Sequence, residues 1–287
     1  MGSVNFSAEF FVNEGNTAKV SEAPPHLSGN FNTRASRTVL KEFKELSGDG
    51  VSTLPDFDNE VAVLKMLEKY QGQLPFKIPR VFSAGKNENA AAGAPVAFIE
   101  MTRLPHSLSD ADMQAATPEM KQAHAREAGI ALAKLHALPL TAEDKAQIKC
   151  SPMQFNLDWL EKHGKTPEAR QQVRGLTEDL KAMAGKPVFI HNDFHHKNLF
   201  ARSYGGAISG VCDFCCSGLG PREMDFYPFL GDKAVEKSFL DSYRKESAAM
   251  GDKNAVDMNN VATVRKLMTF IIGVHKAASA PKAPKAS

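Results

Sequence analysis

Apolar positions between residues 5 and 46 come in short β-prone groups: Phe10-Phe11-Val12, Thr17-Ala18-Lys19-Val20 and Thr38-Val39-Leu40-Lys41-Glu42-Phe43. Turn-rich spacers, Asn13-Glu14-Gly15-Asn16 and Pro24-Pro25, separate them, so the pattern predicts a meander of short antiparallel strands. The period then changes. Pro55-Asp56 opens a helix in which Glu60, Leu64 and Leu67 recur on one face. Ile78-Pro79-Arg80-Val81 and Ala94 to Met101 read as two further strands, with a flexible Gly85 to Gly93 segment between them. Thr117-Pro118-Glu119 supplies an N-cap, a proline at the first helical position and an early acid, which opens a long helix through Leu138. Residues 141–186 are polar and helix-prone and contain the single tryptophan, Trp159. The apolar run Pro187-Val188-Phe189-Ile190 is strand-like, and a second β-prone run ends at Asp213. Residues 232–275 read as amphipathic helices.

Composition narrows the class. At 287 residues and 43% apolar the chain can bury a full core, as one large or two small domains. A formal net charge of +2 gives no reason to expect a nucleic-acid surface, and no apolar run reaches membrane-spanning length. The start, MGSVNFSAEF, lacks the pattern of a signal peptide, and Phe6 stands where acylation at Gly2 would need Ser or Thr. Four cysteines, three of them crowded at 212, 215 and 216, make no disulfide framework in a chain of this size, so a reducing, cytoplasmic setting is expected.

The chemistry concentrates in His191 to Phe200, HNDFHHKNLF, where His191, Asp193 and Asn198 form H-x-D-x-x-x-x-N. Together with Asp213 this places two carboxylates and a carboxamide at the ends of neighbouring strands. Phosphoryl transfer from a nucleotide needs such a set. Its loose transition state calls for a carboxylate near the attacking hydroxyl and for oxygen ligands to magnesium. Asp193 suits the first task, Asn198 and Asp213 the second.

HNDFHHKNLF followed by GVCDFCCSGLGPREMDF resembles the catalytic and metal-binding loops of the aminoglycoside phosphotransferase and choline kinase-like superfamily. Asp213, Phe214, Gly220 and Asp225 match the family pattern, and the likeness is strongest over residues 187–230. It implies an α+β, two-lobed protein-kinase-like fold. A β-rich, nucleotide-binding N-lobe would occupy residues 1–103 and a helical C-lobe residues 104–275, followed by a disordered tail at 276–287. It also implies ATP and Mg2+ as cofactors and a small-molecule hydroxyl as acceptor. Thr38-Val39-Leu40-Lys41 resembles the strand whose lysine reaches the phosphates, and Glu60 is its expected partner, with Lys44 and Lys19 as other candidates for the cation. Gly15 would sit in the turn over the phosphates, with Gly29 as rival. Met101 and Leu104 flank a segment resembling the adenine-binding hinge. His191 and Asp225 would brace the catalytic loop, and His136 would be a packed or hydrogen-bonded structural residue.

Other readings stay open at this stage. Lys197 stands where many relatives carry glycine, as a further phosphate cation or as a solvent-facing residue. His195 and His196 with Cys212, Cys215 and Cys216 allow a zinc–thiolate site, since Cys212 and Cys215 have C-x-x-C spacing. Cys215 occupies a place where the family often has an acid. The acceptor is not legible: aminoglycosides, choline or ethanolamine, homoserine and sugar-like metabolites are all acted on by relatives. A non-catalytic pseudokinase that binds nucleotide or a partner protein is the alternative of a different class. The C-terminal Pro/Ala/Lys stretch reads as a solvated tail.

Overall fold

The structure is a computed structural model, and it describes residues 18–22, 38–45, 52–91, 93–163, 166–183, 185–253 and 255–279. Gly15 and Gly29, and with them the turn expected over the phosphates, lie outside the described residues.

An antiparallel sheet of four strands forms the first lobe: β1 (Ala18–Glu22), β2 (Thr38–Phe43), β3 (Val81–Lys86) and β4 (Ala97–Thr102), in the order β1-β2-β4-β3. Lys41 faces Val20 on one side and Ile99 on the other, which fixes its place in mid-sheet. Helix α1 (Leu54–Glu68) carries Phe57, Glu60, Val63, Leu64 and Leu67 on its buried face. Phe57 meets Phe43 of β2 edge to face, with ring centroids 5.4 Å apart. Aromatic contact and apolar burial thus set the distance between the helix and the sheet.

The strand expected at Ile78–Val81 begins only at Val81 and runs through Gly85 to Lys86. Pro79 has no N–H for a ladder, and Ile78 N already donates to the Gln71 side chain at 3.0 Å. Lys77 bridges to Gly210 of the second lobe instead. Gly85 lets the Phe98 ring lie close over the strand, where a Cβ would come within 3.0 Å of it.

The second lobe is mainly helical. Helix α2 (Asp110–Ala115) is followed by α3 (Pro118–His136), whose N-cap Thr117 accepts from Met120 N as its sequence requires. It stops at His136, two residues short of the expected end at Leu138. The polar stretch after it becomes α4 (Ala142–Gln147), α5 (Pro152–His163) and α6 (Pro167–Lys181). Two small antiparallel pairs follow, β5 (Val188–Ile190) with β8 (Gly218–Gly220), and β6 (Leu199–Phe200) with β7 (Gly210–Val211). A 3-10 segment, Arg222–Phe229, leads into α7 (Lys233–Ala249) and α8 (Met258–Ser279). Helices α3 and α7 touch closely at Gly129, where a Cβ would fall 2.3 Å from Ser242 Oγ and 2.7 Å from Phe239 O. Helix α8 runs past the expected start of the tail at 276, because Lys276-Ala277-Ala278 favours helix and the first proline comes only at 281.

Candidate active site

Strand β5 delivers the chain into the H-x-D loop, and the fully buried Asp225 catches it. Its Oδ2 accepts from His191 N at 2.8 Å, and its Oδ1 accepts from Asn192 N. Those amides are aligned by a left-handed turn at Asn192, φ 63°, a conformation that asparagine tolerates better than most residues. His136 of α3 closes the anchor, with Nε2 2.9 Å from Asp225 Oδ2 and Nδ1 2.8 Å from Tyr243 Oη.

His191 is buried within the loop. Its Nδ1 accepts from Asp193 N at 3.2 Å, so the proton sits on Nε2, which donates to Cys212 O at 2.9 Å. Burial lowers its pKa against the pull of Asp225 and Asp193, which favours this neutral form. One imidazole thereby joins the loop to the chain just before Asp213.

Asp193 is ringed by side chains. Tyr227 Oη donates to its Oδ1 at 3.1 Å, and His195 Nε2 lies 3.3 Å from the same oxygen. Asn198 Nδ2 donates at 2.9 Å both to Asp193 Oδ2 and to the Asp193 carbonyl. Burial works to raise the Asp193 pKa, but the neighbouring His195 outweighs it and holds the carboxyl below its usual range. His195 is shifted the opposite way, upward, because the attraction of Asp193 exceeds the cost of burial. Since the amide nitrogen of Asn198 is committed to Asp193, the amide oxygen is left as the available hard ligand.

Lys41 comes across from the sheet. Its Nζ lies 2.7 Å from Glu60 Oε2 and 2.9 Å from Asp213 Oδ1. Burial alone would lower its pKa, yet Asp213 and Glu60 together drive it well above the usual value, so the ammonium persists. Burial would likewise raise Asp213, but Lys41 holds its carboxyl at about 2. Glu60 is pushed up by burial to about 7 in spite of Lys41. Asp213 has φ 63°, an uncommon conformation for a non-glycine residue, and its side chain remains 36% exposed while Glu60 is sealed. The exposed carboxylate is thus held in a strained backbone, a feature that clusters at functional sites.

The structure brings together Lys41, Glu60, Asp193, Asn198, Asp213, His191 and Asp225. Met101 and Leu104 are buried at the end of β4 and just beyond it, and Leu104 packs against Gly210, three residues before Asp213. Lys197, at the rim of the loop, pairs through its Nζ with Asp110 at 3.0 Å. The zinc alternative finds no support: His195 and His196 are directed at Asp193 and Asp110, and Cys215 and Cys216 are buried thiols with raised pKa values. Among the described residues no group of three or more His, Cys, Asp or Glu could hold a metal by itself. Magnesium asks less of the protein, because it keeps waters and binds substrate phosphates, and Asp213 and the Asn198 oxygen are the hard oxygen donors that would be offered to it.

Two residues of the site, Asn59 and Tyr227, escaped the sequence reading, and the contact of a third, His195, with Asp193 did as well. Asn59, adjacent to Glu60 and 1% exposed, donates to Cys215 O at 2.8 Å and to Ser217 O at 2.9 Å, and accepts from Lys149 N and Cys150 N. It locks α1 to the segment after Asp213. A polar residue on the apolar face of α1 was the available signal. Tyr227 and His195, both on Asp193, had only their nearness to matched motif residues to mark them.

Comparison with known proteins adds to this geometry. The family model described as "Phosphotransferase enzyme family" matches residues 32–255. Among solved structures, the GDP complex of wild-type aminoglycoside 2'-phosphotransferase-IIIa is similar, with TM-score 0.56, 14% identity, and coverage of 85% of this chain and 78% of that one. The streptomycin–ATP–APH(2")-IIa ternary complex is similar at TM-score 0.55 and 17% identity, covering 94% and 91%. So is macrolide 2'-phosphotransferase MphH from Brachybacterium faecium, at TM-score 0.55 and 14% identity, covering 94% and 93%. No curated protein matches in sequence. These structures share the two-lobed kinase-like fold, and with the family match extending over most of its length the chain belongs to the phosphotransferase enzyme family.

Proposed function

We propose that this protein transfers the γ-phosphoryl group of ATP to a hydroxyl of a small molecule. The observation that carries the reading is the meeting of Lys41, Glu60 and Asp213 across the two lobes beside a charged, hydrogen-bonded Asp193. In this reading Asp193 orients the acceptor hydroxyl and takes its proton as the new O–P bond forms and the bond to the ADP oxygen breaks. Lys41, steadied by Glu60, neutralises phosphate charge. Asp213 and the Asn198 oxygen would hold Mg2+, whose chemistry is to offset the negative charge that builds on the phosphates. Gly15 would cover the phosphates, and the backbone between Met101 and Leu104 would hold the adenine. His191 and Asp225 keep the loop in shape without touching substrate.

The solved structures named above are complexes or enzymes of aminoglycosides and a macrolide, which supports a hydroxyl acceptor and leaves its identity among aminoglycosides, macrolides, amino-alcohols and sugar-like metabolites. All four cysteines are free, which suits a reducing cytoplasm, and no described helix is long and apolar enough to cross a membrane. The test is magnesium-dependent consumption of ATP against a panel of aminoglycosides, macrolides, choline, ethanolamine, homoserine and sugars. Stimulation by one class, with a phosphorylated product identified by mass, supports the reading. ATP binding without phosphorylation of any of them would contradict it.

A further inference from the structure

Beneath β5, at the C-terminal end of α3, lies a cavity of about 390 Å³ that none of Lys41, Asp193, Asn198 or Asp213 lines. Its size falls within the range that holds small ligands. Three cations border it, Lys145, Lys186 and Arg222, against a single carboxylate, Asp252. Arg222 is paired with Asp252 at 2.7 Å, whereas Lys145 and Lys186 have no acidic partner among the described residues. Leu138, Leu140 and Met250 add apolar wall. Unpaired positive charge beside an apolar wall fits an anion with a hydrocarbon body, since the charged end meets opposite charge and the hydrocarbon meets Leu138, Leu140 and Met250.

Two connections lead from this wall to Asp193. His136 lines the cavity and bonds to Asp225, which holds the amides of His191 and Asn192. Arg222 begins the 3-10 segment that carries both Asp225 and Tyr227, and Tyr227 donates to Asp193. We propose that the cavity is a regulatory site for a small amphipathic organic anion, a phosphate monoester or a carboxylate, whose occupancy is felt at the catalytic loop. An anion that draws Arg222 away from Asp252 pulls on the segment that positions both aspartates. The binding stands apart from the proposed reaction, and only the coupling to turnover depends on it.

The test titrates the full chain with hexyl phosphate and hexanoate by calorimetry, with hexyltrimethylammonium as a cationic comparison. Both anions are expected to bind and the cation is not. The double variant Lys145→Ala, Lys186→Ala, which removes two exposed side chains outside the catalytic cluster, should weaken hexyl phosphate about tenfold or more while leaving the affinity for ATP as it was. Lys41→Met should leave hexyl phosphate binding unchanged, because that lysine belongs to the front cleft. Hydrogen exchange at the His191 and Asn192 amides should change on saturation with hexyl phosphate, a readout that needs no turnover. Absence of heat at millimolar probe, binding indifferent to the double variant, or binding lost with Lys41→Met would each overturn the site. Binding with unaltered exchange at the two amides would overturn its regulatory role.

Discussion

Two buried aspartates in this protein each lie against a histidine, yet they face opposite tasks. Asp225 is fully enclosed, and two of its partners are backbone amides, His191 N and Asn192 N, with His136 as the third. Backbone donors cannot rotate away, so this carboxylate is a fixed post around which the loop is bent. The Asp193 carboxylate has side-chain partners only, His195 and Asn198 from its own loop and Tyr227 from the 3-10 segment, and each can reorient when another group arrives. The same pair of residue types is an anchor in one place and an adaptable acceptor in the other, and the kind of donor decides which. A third histidine completes the series: His124 is 3% exposed, lies against the Tyr204 ring at a tilt with centroids 4.4 Å apart, and has no hydrogen-bond partner for either ring nitrogen among the described residues.

The contrast can be broken in stability first. Asp225→Ala strands two amides and an imidazole in the interior and should cost about 3–5 kcal/mol, read as a drop in the denaturant midpoint. A loss under 1 kcal/mol would mean that Asp225 is no anchor. His124 sharpens the comparison through pH. Burial depresses its pKa from 6.5 to about 4, with His196 adding to the effect. The unfolded chain therefore binds that proton more readily, and stability should fall as pH drops below 6.5, on the order of 2 kcal/mol by pH 5. His124→Phe should remove this dependence, which unfolding of both proteins at pH 7 and pH 5 would detect.

The Asp193–His195 pair answers to pH from the other side. The folded pKa of His195 is raised, so its contribution to stability is complete below 6.5 and disappears as pH climbs through the folded value. For activity, His195→Gln removes the charge that keeps Asp193 ionised, so the acid limb of the pH–rate profile should move to higher pH. An unmoved limb would separate His195 from Asp193. The smallest effect belongs to Tyr227→Phe, which deletes one donor to an aspartate that retains two others. Turnover should fall less than about tenfold, in line with one hydrogen bond to a charged group that stays partly satisfied.

Much of this arrangement was legible because its chemistry requires particular residue types at fixed spacing. H-x-D-x-x-x-x-N and the later Asp213 named four residues that do converge, and Glu60 stood out as an acid on an apolar helix face that had to meet a cation. Thr117-Pro118 marked a helix start because capping is local. What stayed hidden depends on contacts between distant segments. Asn59 serves five backbone groups around residues 149–150 and 214–217, and its place on the apolar face of α1 marks it as buried without naming those partners. The shift of β3 from Ile78 to Val81 was decided by Gln71 and by a bridge to the other lobe. His195 was visible as a histidine, but its partner was not, and without Asp193 beside it the residue read as a metal ligand.

The most direct test is the Asp193→Asn variant with the accepted substrate and saturating magnesium and ATP, measuring phosphorylated product together with the melting temperature. We expect transfer to fall about 10²- to 10⁴-fold, the range for loss of a positioned general base, with melting close to that of the native protein because Tyr227 and Asn198 still have a polar group to hold. Product formed at near-native rate by a folded Asp193→Asn protein would contradict the assignment of the reacting carboxylate.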